Sequence, residues 1–126
     1  MKKTAIETAK APAPIGPYNQ AILVNNTLYV SGQIALDASS GKLVTDGIAE
    51  ETQQVMKNIE VILAAAGMGF RDVVKCTIFI KNMNDFAAIN EVYGQYFSEM
   101  PPARETVEVA RLPKNVNVEI SCVAVV

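Results

Sequence analysis

Pro101-Pro102-Ala103-Arg104-Glu105-Thr106-Val107-Glu108-Val109-Ala110-Arg111-Leu112-Pro113-Lys114-Asn115 leads into the closing run Val116-Asn117-Val118-Glu119-Ile120-Ser121-Cys122-Val123-Ala124-Val125-Val126. The proline pair ends the helical region before it, because proline lacks a backbone donor and fixes φ. A β-branched run then starts with Arg104 at its mouth, Leu112 to Asn115 reads as a turn, and the chain returns as a second strand. That strand is apolar at both parities: Val116, Val118, Ile120, Cys122 and Ala124 on one, Val123 and Val125 on the other. Such a strand needs cover on both faces. If the two runs pair or neighbour one another, Arg104 lies near Glu119. A guanidinium and a carboxylate at the edge of an apolar sheet suit a small anionic molecule.

Working back from this stretch, Asn84-Asp85 reads as a capping pair for a short helix with Phe86, Ile89, Tyr93 and Phe97 on one face. Asp72 to Ile80 is a mostly buried strand. Ile48, Val55, Ile59, Ile62, Leu63 and Ala66 recur at helical spacing, with Gly67 as the stop. Ile34 to Gly47 is polar and turn-rich. Asn25-Asn26, between Ala21–Val24 and Thr27–Val30, suits a tight hairpin because asparagine tolerates positive φ. The second of those strands runs out at Ser31-Gly32-Gln33. Pro12, Pro14, Gly16 and Pro17 enforce a stiff, extended loop ending in Tyr18, and Thr4 to Glu7 is a weak first strand. The resulting order, β-β-β-α-β-α-β-β, predicts an α+β fold: one mixed sheet with hairpins at each end and two helices packed on one face. With only two helices available, a neighbouring subunit is the expected cover for the other face, so the chain reads as an oligomer whose sheets meet face to face.

A length of 126 residues suits one domain, 1–126, with a real core. Half the residues are hydrophobic and 19% charged, an ordinary globular balance. The net charge of −2 and pI near 5.1 provide no electrostatic footprint for nucleic acid. No apolar run approaches the roughly 20 residues that span a bilayer, and Met1-Lys2-Lys3 is not followed by the apolar stretch of a secretory signal. A cytoplasmic location is expected. The sequence contains two cysteines and no histidine. Cys76 and Cys122 sit in β-branched runs and read as small core hydrophobes. Without histidine there is no Cys–His pair or histidine-based metal site, so acid–base chemistry falls to Asp, Glu, Tyr, Lys or water.

Arg104 is either a surface cation or an anchor held ready by Pro101-Pro102 for a planar carboxylate. Glu119 interrupts an apolar strand. It is either an outward residue on a wet edge with Asn117 and Ser121, or a functional carboxylate whose pKa follows its partners. Asn90 intrudes on the inner stripe of the second helix, and a buried amide must be hydrogen-bonded, whether to a loop or to a ligand. Tyr18 plugs the core or faces a site, and Gly32, after Ser31, permits close approach of a ligand to the backbone.

Together, Ile15-Gly16-Pro17-Tyr18, Tyr29-Val30-Ser31-Gly32-Gln33-Ile34, Asn90-Glu91-Val92-Tyr93, Pro102-Ala103-Arg104, Val109-Ala110-Arg111-Leu112-Pro113 and Val118-Glu119-Ile120 resemble the RidA/YjgF family of reactive-intermediate deaminases, along essentially the whole chain. The resemblance implies a chorismate-mutase-like fold assembled as a homotrimer with three clefts between subunits. It implies hydrolysis of short 2-imino acids and their enamine tautomers, such as 2-iminobutanoate and 2-iminopropanoate, to 2-keto acids and ammonia, with no cofactor or metal. Arg104 matches the family arginine that grips the substrate carboxylate, and Glu119 the glutamate that positions or activates water. Tyr18, Ser31, Gly32 and Asn90 match cleft-lining positions. Thr106, which could offer its backbone to the substrate, stands where several family members carry cysteine, so any role of that thiol is lost here. Two other readings remain: a non-catalytic trimer that binds keto acids or related carboxylates as a regulator, and an RNA-directed activity, which the charge balance opposes.

Overall fold

The structure is a computed structural model describing residues 2–126. Strands β1 (Lys3–Ile6), β2 (Ala21–Val24) and β3 (Thr27–Gln33) form an antiparallel meander. Helix α1 (Ile48–Ala65), strand β4 (Val73–Ile80), helix α2 (Phe86–Gly94), and strands β5 (Ala103–Glu108) and β6 (Val118–Val125) follow. The six strands make one mixed sheet in the order β1-β2-β3-β6-β4-β5, with β4 and β5 its parallel pair. The α+β class follows directly. No helix among the described residues is long and apolar enough to cross a membrane.

Local chemistry accounts for the boundaries. Asn25, at φ 54°, turns β2 into β3 so that Val24 pairs with Thr27. Gly67, at φ 72°, ends α1: its N–H donates to Ala64 O, and Met68 N–H donates to Leu63 O. One cap differs from expectation. Asp85 makes no side-chain capping bond; Asn82 Oδ1 instead accepts from Asn84 N–H at 2.9 Å in the 3-10 turn ahead of α2. That turn (Met83–Asp85) takes up the residues expected to cap the helix, and the cap moves to its start.

The closing strands also differ from the expected arrangement. β5 and β6 do not pair, because β4 lies between them. The α2 crossover sets β5 parallel to β4, and the segment after β5 is long enough to carry the chain past β4. β6, with Val118, Ile120, Cys122 and Ala124 on one face and Val123 and Val125 on the other, takes a central place between β3 and β4. β5, with Arg104, Glu105 and Glu108 in six residues, is left as the charged edge.

Val55, Met56, Ile59, Ile62 and Leu63 of α1 and Ile89 and Tyr93 of α2 bury one sheet face, packing on Leu28, Cys76, Ile78, Ile80, Val118, Ile120 and Cys122. The other face carries Ile22, Tyr29 and Val123 in register, and Val107, Phe79 and Glu119 in register. Tyr29 is 53% and Val107 41% exposed there, so this face carries an apolar patch uncovered by the chain itself, beside the polar Lys75, Thr77, Glu105 and Glu119. Both cysteines are buried, as their surroundings in sequence suggested, and stand opposite one another across β4 and β6.

Candidate functional site

The sequence candidates fall into two groups on opposite faces of the sheet. Arg104 is the register partner of Cys76, which in turn faces Cys122. Since these cysteines belong to the core, Arg104 and Thr106 lie on the helix face of β5. Glu119 is the partner of Phe79, three residues from Cys122 along an unbroken ladder, so it points to the open face. The expected proximity of Arg104 and Glu119 therefore does not occur within one chain.

On the helix face, Arg104 Nη1 donates to Asn90 Oδ1 at 2.6 Å. The guanidinium carbon stands 5.0 Å from the centroid of the Tyr93 ring and 5.6 Å from that of Phe86. These three α2 residues lie at i, i+4 and i+7 and share one helix face. Among the described residues no carboxylate pairs with Arg104. A half-buried cation with one hydrogen bond and two aromatic neighbours keeps donors free for an incoming planar anion. The hydroxyls of Tyr93 and Thr106 are buried without a hydrogen-bond partner among the described residues. Burial pushes the Tyr93 phenol far up, reinforced by the nearby Cys76 thiol, with which its hydroxyl forms no well-made bond. Burial likewise raises the Cys76 thiol, so neither group supplies an anion.

On the open face the key feature is a bulge. Val30 pairs with Cys122 and Gln33 with Ile120, so Ser31 and Gly32 together oppose the single Ser121. The bulge brings the Gly32 backbone under the Glu119 side chain: a Cβ on Gly32 would stand 2.8 Å from Glu119 Cδ. A side chain on residue 32 would push that carboxyl aside. Burial raises the Glu119 carboxyl above its ordinary value of 4.5. Ser31 is tied to the approach loop, its Oγ donating to Asn19 O at 2.6 Å and its N–H to Gln20 O at 2.9 Å. A small cleft beside the bulge is lined by Pro14, Ile15, Tyr18, Gly32 and Gln33. Tyr18 is half exposed at its rim rather than a core plug, its hydroxyl accepting from Ile15 N–H at 3.4 Å. Gln20 fastens the proline loop, with Nε2 donating to Thr8, Ala11 and Pro12 carbonyls.

Sequence reasoning missed Glu51. It is fully buried in the first turn of α1, where Oε2 accepts from the N–H groups of Asn117 at 2.7 Å and Val118 at 3.2 Å, and Oε1 from Asn117 Nδ2 at 2.8 Å. It thus fixes the start of β6, two residues ahead of Glu119. Its place between Ile48 and Val55 on the apolar stripe was the available signal. Phe86 and Tyr93 were read only as core, although they share the stripe of Asn90. Among the described residues no group of three or more His, Cys, Asp or Glu side chains could hold a metal ion.

The family model described as Endoribonuclease L-PSP matches residues 8–126. The human 2-iminobutanoate/2-iminopropanoate deaminase is 52% identical over 98% of this chain and 90% of its own. The solved structure of the Rid-family protein YyfA from Yersinia pestis superposes with a TM-score of 0.97 at 48% identity, covering 99% of this chain and 100% of that one. That of E. coli TdcF with bound serine has a TM-score of 0.94 at 40% identity, covering 98% of each chain. With its whole length matched in sequence and in fold, the chain belongs to the RidA/YjgF family.

Proposed function

We propose that this chain hydrolyses short 2-imino acids, such as 2-iminobutanoate and 2-iminopropanoate, to 2-keto acids and ammonium, in clefts between the subunits of a homotrimer. The observation that carries the reading is the Arg104 guanidinium, pinned by Asn90 and without a carboxylate of its own among the described residues. Its remaining N–H groups donate to a substrate carboxylate. The human relative's deaminase name and the serine bound to TdcF, itself an α-amino carboxylate, agree with that chemistry.

The reaction is an addition and an elimination. Water adds to C2 of the protonated imine, a proton moves from the added oxygen to nitrogen, and the C–N bond breaks as the remaining hydroxyl proton passes to the departing ammonia, leaving the keto acid and ammonium. The imine carbon is already electrophilic, so positioning and proton transfer suffice. Arg104 holds the carboxylate and fixes C2. Glu119 holds the attacking water, takes its proton and returns it to nitrogen. A carboxyl with a pKa raised by burial is a better proton carrier near neutrality than an ordinary glutamate. Gly32 and Thr106 offer backbone donors, while Tyr18 and Ser31 shape the wall. The uncovered apolar face, bearing Tyr29, Val123 and Val107, is the surface that a second copy covers. The low net charge fits a small-molecule substrate rather than RNA.

The test is complementation. Arg104→Ala and Glu119→Ala chains are each assayed with a threonine dehydratase that supplies the imine, following semicarbazide trapping of what is not hydrolysed. They are then co-refolded in equal amounts. If each site takes its arginine from one subunit and its glutamate from the next, random mixing restores about a quarter of wild-type sites. If both groups serve from one chain, the mixture stays as inactive as its parents; if neither serves, the single variants keep wild-type turnover and the reading falls. Wild-type trimers that bind 2-ketobutanoate without speeding hydrolysis would point instead to a carboxylate-binding regulator.

A further inference from the structure

The α2 residue beneath Arg104 does more than fill the core. We infer that Tyr93 is a positioning residue whose ring face fixes the substrate-gripping guanidinium; this rests on the reading of Arg104 as carboxylate anchor.

Arg104 projects from an edge strand, which gives it one backbone neighbour and leaves its long side chain free to swing. Three contacts oppose that freedom. Asn90 Oδ1 takes one Nη1 proton at 2.6 Å. This bond fixes one end of the fork but leaves rotation about it. The Tyr93 ring, 5.0 Å from the guanidinium carbon, and the Phe86 ring, at 5.6 Å, supply the surfaces that can stop the rotation. The two rings are not equivalent. Phe86 is 37% exposed, whereas Tyr93 is 6% exposed and belongs to the core cluster that also holds Ile89, Cys76 and Cys122. A wall must be rigid to position anything, so the work falls to Tyr93.

The phenol itself takes no direct part. Its oxygen is shut off from solvent and has no hydrogen-bond partner among the described residues, so a substrate on the guanidinium does not reach it. The prediction is therefore divided between ring and hydroxyl. Losing the ring should loosen Arg104, while losing only the hydroxyl should not. Because Arg104 holds the same carboxylate before and during the reaction, a loosened fork should appear in KM and in keto-acid Kd rather than in kcat.

The experiment compares wild type, Tyr93→Phe, Tyr93→Leu and Arg104→Ala as intact oligomers. It measures 2-ketobutanoate Kd, the kinetic constants for the imine, and the side-chain Nε–Hε resonance of Arg104. Tyr93→Leu should raise KM and Kd between about twofold and thirtyfold with kcat within about threefold, the range of a cation–π contact. It should also shift the Nε–Hε resonance, since the ring current is gone. Tyr93→Phe should restore the wild-type constants and resonance. If Tyr93→Leu fails to fold, the wild-type protein still decides: nuclear Overhauser contacts between the Tyr93 ring protons and the Arg104 guanidinium are expected, and their absence overturns the inference. Loss of turnover in Tyr93→Phe overturns it by placing the hydroxyl in the chemistry. Weak binding in Arg104→Ala beside unchanged binding in Tyr93→Leu overturns the role of Tyr93 alone. Unchanged binding in Arg104→Ala removes the anchor and the positioning role together.

Discussion

Adding one methyl group at Gly32 should abolish the proposed deaminase turnover while leaving the fold intact. In Gly32→Ala the new Cβ would lie 2.8 Å from Glu119 Cδ, with Oε2 nearer still. Carbon atoms in ordinary contact sit about 3.5–4.0 Å apart, so the carboxyl must withdraw by roughly 1 Å. What it meets is the end of a flexible, half-buried side chain, and a shift off its rotamer costs about 0.5–1.5 kcal/mol. For a domain of this size, Tm should fall by no more than about 6 °C. Catalysis is more sensitive, because a misplacement of about 1 Å can cost on the order of a hundredfold. Turnover of dehydratase-generated imine should therefore fall about a hundredfold, with 2-ketobutanoate Kd changed less than about threefold, because Arg104 is untouched. Adding Gly32→Ala to Glu119→Gln should lower the rate little further, since both act on the same carboxyl. Near-wild-type turnover in Gly32→Ala would refute the placement of Glu119 in the chemistry. So would a full additional hundredfold loss in the double variant.

Three further outcomes follow from the same coordinates. Glu51→Ala strands two backbone N–H groups and the Asn117 amide and should cost about 3 kcal/mol or more in urea unfolding; a loss under about 1 kcal/mol would mean that water takes over the bonds. Burial raises the Glu119 pKa above 4.5 in the folded state, so its contribution to stability is favourable below that value and declines as pH rises through the folded pKa. Glu119→Gln should then gain Tm relative to wild type between pH 4 and pH 7, and a Tm difference independent of pH would sink the assignment. Tyr29→Asp places a charge on the uncovered apolar face, where Tyr29 is 53% exposed. By light scattering it should convert the proposed oligomer to folded monomers with turnover reduced at least about a hundredfold, and an active, unchanged assembly would exclude that face as the interface.

Element type and order were legible because the signals are local: asparagines at a hairpin, apolar spacing in α1, prolines before β5. The neighbour relations were less so. The closing strands looked like a hairpin because they follow one another, yet the double apolar parity of β6 already argued for a central strand, and the charge density of β5 for an edge. Giving that pattern more weight than adjacency would have put β4 between them. The site residues were legible mainly through resemblance, because nothing local distinguishes Arg104 from a surface cation. Glu51 was obscured by its type. A glutamate early in a helix is normally a solvated partner of the macrodipole, and only the three N–H groups at the start of β6 make its burial tolerable.

The separation of Arg104 from Glu119 bears on how such a site can be built at all. Within one chain the two groups lie on opposite faces and two strands apart, and neighbouring strands are about 4.8 Å from one another. A three- or four-carbon acid is too short to pass around the β5 edge and touch both. The carboxylate anchor and the proton carrier can meet on one substrate only if the β5 edge of one copy approaches the open face of another. An edge-to-face contact of this kind suits a closed ring of copies where the rotation between neighbours closes. On the proposed reading, the apolar patch of the open face and the bulge at Ser31-Gly32 serve one purpose: apolar burial would bring the copies together, and the bulge would leave the space over Gly32 in which Glu119 and a neighbour's arginine address the same small molecule.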